Sequence, residues 1–299
     1  MFKPTVHVAI GLLFHRGKVL VGWRNADQHQ GNKHEFPGGK VEQGETPEQA
    51  CRREIFEEVG IGIQEWHIFD VIHHVYDDVE VYLHLFHAQV PEKYLSDIQQ
   101  PWNWYDREKL LDLNFPKANQ VIVERLYWQH AIQISADLIQ LNRLAEDTLL
   151  YWRTDSMTLS IQDFQNFSDA QLKSLILNYE LWMQLDEALQ KKIGAVQFKQ
   201  HQILAMQKGQ LPMGMRCIAS CHDAVSLQHA QKIGCDAVFL SPVQATESHP
   251  DALILGWEWF QQLAKNCDIP VFALGGLKPQ DLPLAQQNFA YGVAGIRGF

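Results

Sequence analysis

Apolar and polar residues alternate over much of the first third of the chain, which predicts β-strands. Two apolar runs, Val6–Phe14 and Lys18–Trp23, are separated by His15-Arg16-Gly17, a spacing typical of a β-hairpin. The pattern therefore predicts a sheet that begins close to the start of the sequence. The other predicted strands of this half are Trp66–Tyr76, Val79–Gln89 and Trp102–Tyr105.

One helix is marked at both of its ends by residues that favour helix termini. Thr46 is a good N-cap, Pro47 suits the first helical position, and Gln49 completes a capping box with Thr46. Gly60 supplies the stop signal. These signals predict a helix between Thr46 and Gly60.

A second helical segment is predicted from Pro116 to Gln129, and its pattern continues towards Glu146. The presence of both strands and helices in this half indicates a mixed α+β domain. We therefore predict a first domain over residues 1–130 and a helical linker over 131–147.

The second half alternates short apolar runs with helix-like stretches, which predicts βα units and a parallel sheet, so the whole chain is an α/β protein. Seven such strands are predicted, one fewer than a (β/α)₈ barrel has. The expectation for residues 148–299 is therefore a shortened TIM-like barrel domain. The predicted strands are Leu149–Arg153, Leu175–Asn178, Ala195–Phe198, Arg216–Ser220, Ala237–Ser241, Val271–Gly275 and Gly292–Ile296.

Composition and charge narrow the class of protein. The 299 residues are 46% hydrophobic and 20% charged, which is ordinary for globular domains. The net charge of −10 provides no basic field for duplex nucleic acid. No apolar run approaches the ~20 residues of a membrane helix. Five scattered cysteines do not form a disulfide framework, so we expect small buried residues and a cytoplasmic protein.

Three carboxylates lie on one face of the first predicted helix, because Glu54, Glu57 and Glu58 are spaced at i, i+3 and i+4. A solvated acidic surface is the simple alternative. The adjacent Arg53 and the loop residue Glu45 favour a functional cluster instead. Hard oxygen ligands of this kind suit Mg²⁺, with Mn²⁺ as a second option, and such ions also bind substrate phosphates.

The stretch from Gly39 to Ile61, GKVEQGETPEQACRREIFEEVGI, matches the Nudix box at its glycines, glutamates and Arg-Glu pair. The resemblance extends over most of residues 3–127 and is closest to the MutT type. It implies an α/β/α sandwich with a mixed sheet. It also implies attack of water on the β-phosphorus of a nucleoside triphosphate, which releases the monophosphate and pyrophosphate.

The resemblance also implies roles for individual residues. Glu54, Glu57 and Glu58 would bind metal together with the Gly38 carbonyl, and Glu54 is the candidate for aiding the water. Arg53 would pair with Glu45 and hold the loop. The residues that match substrate contacts of the family, chiefly by backbone from Glu35 to Gly38, are Arg24, His29, Glu35, Phe36, Pro37, Gly38 and Asn119.

Two of these residues have simpler explanations that the sequence leaves open. Arg24 is also explained as a charged surface residue at the end of a strand, and Asn119 is also explained as the cap of the following helix. The resemblance assigns Arg24 to a nucleotide phosphate. It assigns Asn119 to recognition of the oxidised guanine.

The sequence departs from the MutT pattern at one position. Where these enzymes carry a glutamate before a tryptophan, this chain has Asn103 before Trp104. An amide ligates weakly and cannot accept a proton. Asp77 and Asp78 are the candidates for supplying the missing carboxylate.

Residues 216–299 resemble thiamine phosphate synthase and its TenI-like relatives through IASCHDA, DAVFLSPVQATESHP, IPVFALGG and YGVAGIRG. Gly275 and Gly276 follow a strand where such barrels bind phosphate, although tight packing would explain them equally well. Thr246 and Ser248 lie in the neighbouring phosphate loop, where His249 replaces the lysine of the family. The strand-two motif Gln-Leu-Arg-x-Lys has no clear counterpart between Thr154 and Lys173, so synthase activity is not expected.

Together these observations predict a Mg²⁺-dependent hydrolase that converts 8-oxo-dGTP to 8-oxo-dGMP and pyrophosphate and so cleans the nucleotide pool. Its expected partner is the nucleoside triphosphate substrate, without duplex nucleic acid or membrane, and the oligomeric state is left open. One alternative is a Nudix hydrolase that acts on a thiamine-related diphosphate. The other is a ligand-sensing module in which the second domain regulates the first.

Overall fold

The structure, a computed structural model, describes residues 3–24, 31–154, 159–246 and 253–299. The chain divides into two compact units, residues 1–128 and residues 129–299, here called the first and second domains. No helix in the described ranges is long and apolar enough to cross a membrane.

The first domain is built on a mixed seven-stranded sheet. The strands follow the order β3-β2-β1-β6-β5, with β4 paired to β1 and β7 paired to β2. Strands β1 and β6 are parallel, and the other pairs are antiparallel. The strands are β1 Thr5–His15, β2 Lys18–Arg24, β3 Lys33–Glu35, β4 Gly38–Lys40, β5 His67–Val75, β6 Glu80–Gln89 and β7 Asn103–Tyr105.

Each face of this sheet carries one helix, α1 Pro47–Val59 or α2 Gln120–Leu126. Successive side chains of a strand point to opposite faces, so every strand feeds two separate cores. On the α1 face, Ala9 and Leu13 pack with Ile55 of the helix. On the α2 face, Ile10, Leu12 and Phe14 pack with Ile122. The expected α/β/α sandwich is confirmed.

Helix α1 begins and ends where the sequence predicts. The Thr46 side chain accepts a hydrogen bond from the Gln49 N–H, and the Gln49 side chain accepts one from the Thr46 N–H, which forms the capping box. Pro47 occupies the first helical position. Gly60 ends the helix with a φ of 81°, a conformation that favours glycine. The local signals therefore fix the helix whose acidic face carries the candidate chemistry.

The second domain is a closed barrel of eight parallel strands in the order β10-β11-β12-β13-β14-β15-β8-β9. All seven predicted strands are confirmed within a residue or two at their ends. The strands are β8 Ala131–Ser135, β9 Thr148–Trp152, β10 Leu175–Asn178, β11 Ala195–Phe198, β12 Cys217–Cys221, β13 Ala237–Leu240, β14 Val271–Leu274 and β15 Gly292–Gly295.

The eighth strand is β8, and it lies in the segment that the sequence predicts as a helical linker. The predicted count of seven strands is therefore wrong, whereas the TIM-like barrel is confirmed. Helix α2 stops at Leu126, and β8 pairs with β15 on one side and β9 on the other. Ile132 and Ile134 alternate with more exposed neighbours, a strand pattern that the preceding helical periodicity conceals.

Short helices connect the barrel strands. The cysteines of this domain are buried among these strands and helices. All five cysteines of the chain are free and buried, as predicted. The helices of the second domain in the described ranges are α3 Asp169–Leu172, α4 Tyr179–Trp182, α5 Glu187–Gln190, α6 Gln200–Ala205, α7 Ala224–Ile233, α8 Gly256–Ala264 and α9 Leu282–Gln287. The 3₁₀ turns of the chain are Glu92–Tyr94, Arg107–Asp112, Lys117–Asn119, Leu138–Asn142, Ile161–Phe164 and Pro279–Asp281.

Candidate functional site

Two glycines allow strand β4 to lie between strand β1 and helix α1. A Cβ on Gly38 would fall 2.1 Å from the Ala9 carbonyl oxygen, and Gly38 also has a φ of +149°. A Cβ on Gly39 would fall 2.2 Å from the Glu54 carboxyl carbon. A side chain at Gly38 would separate β4 from β1, so this position requires glycine, whereas a side chain at Gly39 would move the Glu54 carboxylate.

Arg53 holds the loop before α1 against two glutamates of the helix. Its guanidinium donates to Glu45 at 2.7 Å, to Glu54 at 2.7 Å and to Glu57 at 3.3 Å. It also donates to the Lys40 carbonyl at 3.0 Å. The hydrogen bond from Arg53 is the largest cause that lowers the pKa of Glu45, and the same contacts raise the pKa of Arg53. This network brings together Glu45 of the loop with Glu54 and Glu57, two of the residues that the sequence assigns to the metal.

Glu58 contacts the Gly38 backbone and is not among the ion-pair partners of Arg53. Its Oε2 accepts a hydrogen bond from the Gly38 N–H at 2.9 Å, and its carbonyl accepts one from Trp102 Nε1 at 2.9 Å. Burial raises the pKa of Glu58 to about 7, and the charges of Glu35 and Glu54 add to the rise while Gly38 opposes it. A carboxylate that is buried beside other carboxylates is stabilised by a nearby positive charge.

The donor set fits a divalent cation in its chemistry. Glu54 and Glu58 flank the Gly38–Gly39 backbone, and Glu57 extends towards solvent with a side chain 57% exposed. In the ranges that the structure describes, no three His, Cys, Asp or Glu side chains converge on one point. Oxygen ligands with net negative charge are those that Mg²⁺ and Mn²⁺ prefer.

Arg24 and Glu35 lie on the α1 face, next to this carboxylate group. Arg24 Nη1 is 3.2 Å from Glu35 Oε2. Burial raises the pKa of Glu35, and the charge of Arg24 opposes that rise. The charge of Arg24 also opposes part of the rise in the pKa of Glu58. The predicted phosphate contact therefore stands within electrostatic reach of the predicted metal ligands.

Phe36 and Asn119 lie on the other face of the sheet. The Phe36 ring is in the α2 core and stacks on Phe115 with ring centroids 4.9 Å apart. The Pro37 carbonyl accepts a hydrogen bond from the Gly11 N–H at 2.9 Å. Asn119 precedes α2 and is only 8% exposed, yet its side chain forms no cap hydrogen bond. The capping alternative for Asn119 is therefore wrong.

Apolar residues that the sequence analysis overlooked lie on this same α2 face. They are only partly buried and pack against the core cluster that contains Phe36. Their alternation along β1, β5 and β6, with one residue just beyond the end of β5, is the signal that could have identified them. These residues are Val8, Ile72, Tyr76 and Val81.

Asn103 is not brought to the carboxylates. It pairs with Val21, whose side chain belongs to the α2 core, while the neighbouring Trp104 pairs with Leu20 of the α1 core. The Asn103 side chain accepts a hydrogen bond from Gln100 Nε2 at 3.1 Å. The strand register directs this side chain to the face opposite α1.

Asp77 and Asp78 are also far from the carboxylates, so their expected compensating role is wrong. They form the turn before Glu80, which is level with Thr5 on β1. Gly38 is level with Ile10 on the same strand. Five residues of β-strand separate these levels by about 17 Å.

In the second domain, Gly275 and Gly276 pack against the loop after β13. Their φ values are +113° and +72°, and a Cβ on Gly275 would lie 2.8 Å from the Pro242 Cα. A Cβ on Gly276 would lie 3.0 Å from the Ala245 carbonyl oxygen. Thr246 follows in that loop. His29 in the first domain, and Ser248 and His249 in the second, are outside the described residues.

The second barrel strand occurs earlier than predicted, because β8 is the first. Strand β9 ends at Trp152, so Arg153 stands at its carboxyl end. The second strand unit therefore does not lie between Thr154 and Lys173, where the sequence analysis places it.

Inside the barrel, Tyr151 of β9 takes part in a buried polar network. Its hydroxyl donates to Gln197 Oε1 at 2.8 Å, and Gln197 Nε2 donates to the Ser220 hydroxyl at 2.9 Å. Asn178 also donates to Gln197 Oε1 at 3.4 Å. Four neighbouring strands thus direct polar side chains inward, where they hydrogen-bond to one another.

Comparison with known proteins shows the family to which the first domain is similar. Residues 9–125 match the family model for the NUDIX domain. Over 124 residues the chain is 35% identical to the 8-oxo-dGTP diphosphatase of Escherichia coli strain K12, a match that covers 40% of this chain and 95% of that protein. The chain belongs to the Nudix hydrolase family. This Nudix hydrolase is of the MutT type.

A solved structure of MutT, from work on Aliivibrio salmonicida and Vibrio cholerae, also matches the Nudix hydrolase. The two chains are 30% identical with a TM-score of 0.32, over 40% of this chain and 95% of that one.

The second domain of this Nudix hydrolase resembles a different family. Residues 204–299 match the family model for thiamine monophosphate synthase. Over 80 residues the chain is 39% identical to the putative thiamine-phosphate synthase 2 of Aquifex aeolicus strain VF5. That match covers 27% of this chain and 43% of the relative, so it spans less than half of that protein.

The contact between Gly39 and Glu54 leads to a testable prediction. In Gly39→Ala the added methyl group would displace the Glu54 carboxylate, which is the flexible end of a side chain, so folding should persist. We expect kcat for a nucleoside triphosphate to fall by about 100-fold, since small displacements of catalytic groups cost that much. Thermal unfolding should change little. Gly62→Ala is the matched control, because a Cβ there has no neighbour within 4 Å. A normal kcat in Gly39→Ala would contradict this account.

Proposed function

We propose that the chain is a Mg²⁺-dependent hydrolase of 8-oxo-dGTP that releases 8-oxo-dGMP and pyrophosphate. The observation that supports this most is the meeting of Glu54 and Glu58 at the Gly38–Gly39 backbone, in a chain similar to an 8-oxo-dGTP diphosphatase along nearly all of that protein. Phosphoryl transfer depends mainly on charge neutralisation and positioning, which suits this acidic site.

The metal-binding part of the proposal assigns Glu54, Glu57, Glu58 and the Gly38 carbonyl to Mg²⁺, with Mn²⁺ as a substitute. When bound, such an ion neutralises phosphate charge and lowers the pKa of a water nucleophile. Glu54 is mostly buried over Gly39 and is assigned the water-orienting role. Arg53 and Glu45 keep the loop and the helix at a constant distance.

The substrate-binding part uses both faces of the sheet. Arg24 on the α1 face is assigned to a substrate phosphate. Asn119 is assigned to the oxidised base, because its side chain is only 8% exposed and forms no cap hydrogen bond to α2. Apolar residues of the α2 core cluster, Val8 and Tyr76 among them, supply surface for an aromatic base.

The metal assignment predicts the effect of neutralising two glutamates one at a time. Glu57→Gln and Glu58→Gln should each lower Mg²⁺-dependent turnover by at least the 10–100-fold typical of perturbed metal sites, since an amide is a weak ligand. Circular dichroism should show an unchanged fold. Glu65→Gln, on the exposed loop after α1, is the control. Near-normal kcat with unchanged Mg²⁺ dependence in either variant would exclude the assigned ligand role.

The base assignment predicts a change in substrate preference. Asn119→Ala should reduce the preference for 8-oxo-dGTP over dGTP by ~1–3 kcal/mol, because a polar group of the base loses its partner. The measurement is kcat/KM for both nucleotides in the wild type and the variant. If the wild type treats the two nucleotides equally, the pocket does not read the oxidised base.

A second candidate substrate is a thiamine-related diphosphate. The match of residues 204–299 to the thiamine monophosphate synthase family favours it. A panel of nucleotides and thiamine diphosphates, assayed with product identification, separates the two candidates. The sensing alternative would appear as hydrolysis that changes when a phosphorylated ligand binds the second domain.

We also propose that the barrel binds a phosphate group near Gly275, Gly276 and Thr246, with Ser248 as a further candidate, without acting as a synthase. The positive φ values of the two glycines give a turn whose backbone N–H groups suit an anion. Tyr151 lies near the carboxyl end of β9, the second strand of the barrel, and its hydroxyl is hydrogen-bonded to Gln197.

For the barrel, we expect no thiamine phosphate from the two synthase substrates. Crystals of the full chain grown with phosphate or sulfate should hold the anion beside Gly276. Measurable synthase turnover would contradict the first expectation. A site filled by protein side chains alone would contradict the second.

A further inference from the structure

We propose that the side chain of Glu35 is a positioning residue, which holds the Arg24 guanidinium ready for a substrate phosphate beside the carboxylate group. This inference rests on the proposed function to the extent that the substrate carries phosphates. It adds a role on the α1 face to a residue that the family pattern assigns to backbone contact.

The strand register places Glu35 on the α1 face independently of any charge. Glu35 pairs directly with Gly22 of β2, and directly paired residues share one face of a sheet. A Cβ on Gly22 would fall 2.5 Å from the Trp102 ring, and that ring lies in the α1 core. Trp102 in turn donates to the Glu58 carbonyl. Glu35 therefore stands on the same face as Glu58 and close to it.

Arg24 reaches Glu35 from two residues further along β2. The distance from Arg24 Nη1 to Glu35 Oε2 is 3.2 Å, and the side chains are 34% and 21% exposed. Lys33, rather than Glu35, is the direct strand partner of Arg24. The ion pair is therefore a diagonal contact that orients a guanidinium and is not needed to set the strand register.

The remaining donors of Arg24 point to a ligand. Arg24 Nε is shielded from solvent and has no hydrogen-bond partner among the residues that the structure describes. Buried hydrogen-bond donors that lack a partner are uncommon in folded proteins unless they serve a function. A partly exposed ion pair alone contributes little to stability. Glu35 thus contacts Nη1 of a guanidinium whose side chain is still 34% exposed, and it leaves the other donors of Arg24 for a phosphate group.

The test is a double-mutant cycle on the full chain, with equilibrium binding as the first readout. The probe is dGTP with a methylene bridge between its α- and β-phosphorus atoms, titrated in saturating Mg²⁺. Glu35→Gln preserves the size of the side chain and removes its charge. We expect it to raise the Kd by about tenfold, since the guanidinium loses its fixed position. In the Arg24→Ala background the same substitution should change the Kd less than about twofold, because the residue it positions is gone.

Steady-state hydrolysis is the second readout. Glu35→Gln should raise KM with a much smaller change in kcat, and added Mg²⁺ should not restore KM. Glu48→Gln is the matched control, because Glu48 pairs with Arg52 at 2.7 Å on α1 in a similar ion pair away from the site. Its Kd and KM should equal those of the wild type.

Three results would overturn the proposal: an unchanged Kd in Glu35→Gln, an equal loss in both backgrounds, or recovery by Mg²⁺. An equal loss would mean a structural role, and recovery would mean a metal ligand. Wild type that binds the probe and hydrolyses another nucleotide, but not 8-oxo-dGTP, would refute the proposed substrate. In that case the cycle would still decide the role of Glu35.

Discussion

The close approach of β4 to both β1 and α1 is the constraint on which the rest of the first domain depends. Without side chains at Gly38 and Gly39, the backbone contacts Ala9 on one side and Glu54 on the other. The Gly38 N–H is then free to hold the Glu58 carboxylate. Two glutamates of one helix are thereby placed against the same short stretch of backbone, where burial raises the pKa of Glu58 and a nearby cation would stabilise its charged form. A methyl group at Gly39 would disturb this arrangement with little loss of folding energy, so the constraint is primarily functional.

The acidic cluster is tolerated because a single guanidinium is shared among its members. Arg53 contacts Glu45, Glu54 and Glu57, and its planar fork serves several carboxylates at once. Like charges at i and i+4 on a helix otherwise destabilise it. Glu58, outside this network, has its pKa raised to about 7 by burial. Arg53 therefore compensates the negative charge of Glu45, Glu54 and Glu57. The Glu58 carboxylate would be stabilised by an additional cation.

The segment from β3 to β4 connects two environments that a nucleotide requires. Glu35 and Gly39 lie on the α1 face with the charged groups, whereas Phe36 packs on the α2 face with the apolar core. Alternation along an extended backbone produces this division without any insertion. Phosphate chemistry and base recognition are thus assigned to opposite faces of the same sheet. Asn119, at the start of α2, completes the apolar side with a buried amide.

Local chemistry in the sequence by itself determined helix α1, its capping residues, seven barrel strands and the composition of the acidic cluster, because caps, periodicity and i, i+4 spacing act over a few residues. Tertiary structure alone decided three further matters. Strand β8 forms because a barrel must close between β15 and β9, although helical periodicity precedes it. Asn103 is turned away from the carboxylates by its pairing with Val21. The Glu35 side chain reaches Arg24 because β2 and β3 pair in one register. Strand pairing joins residues distant in sequence, and no local pattern specifies which face a paired residue will share.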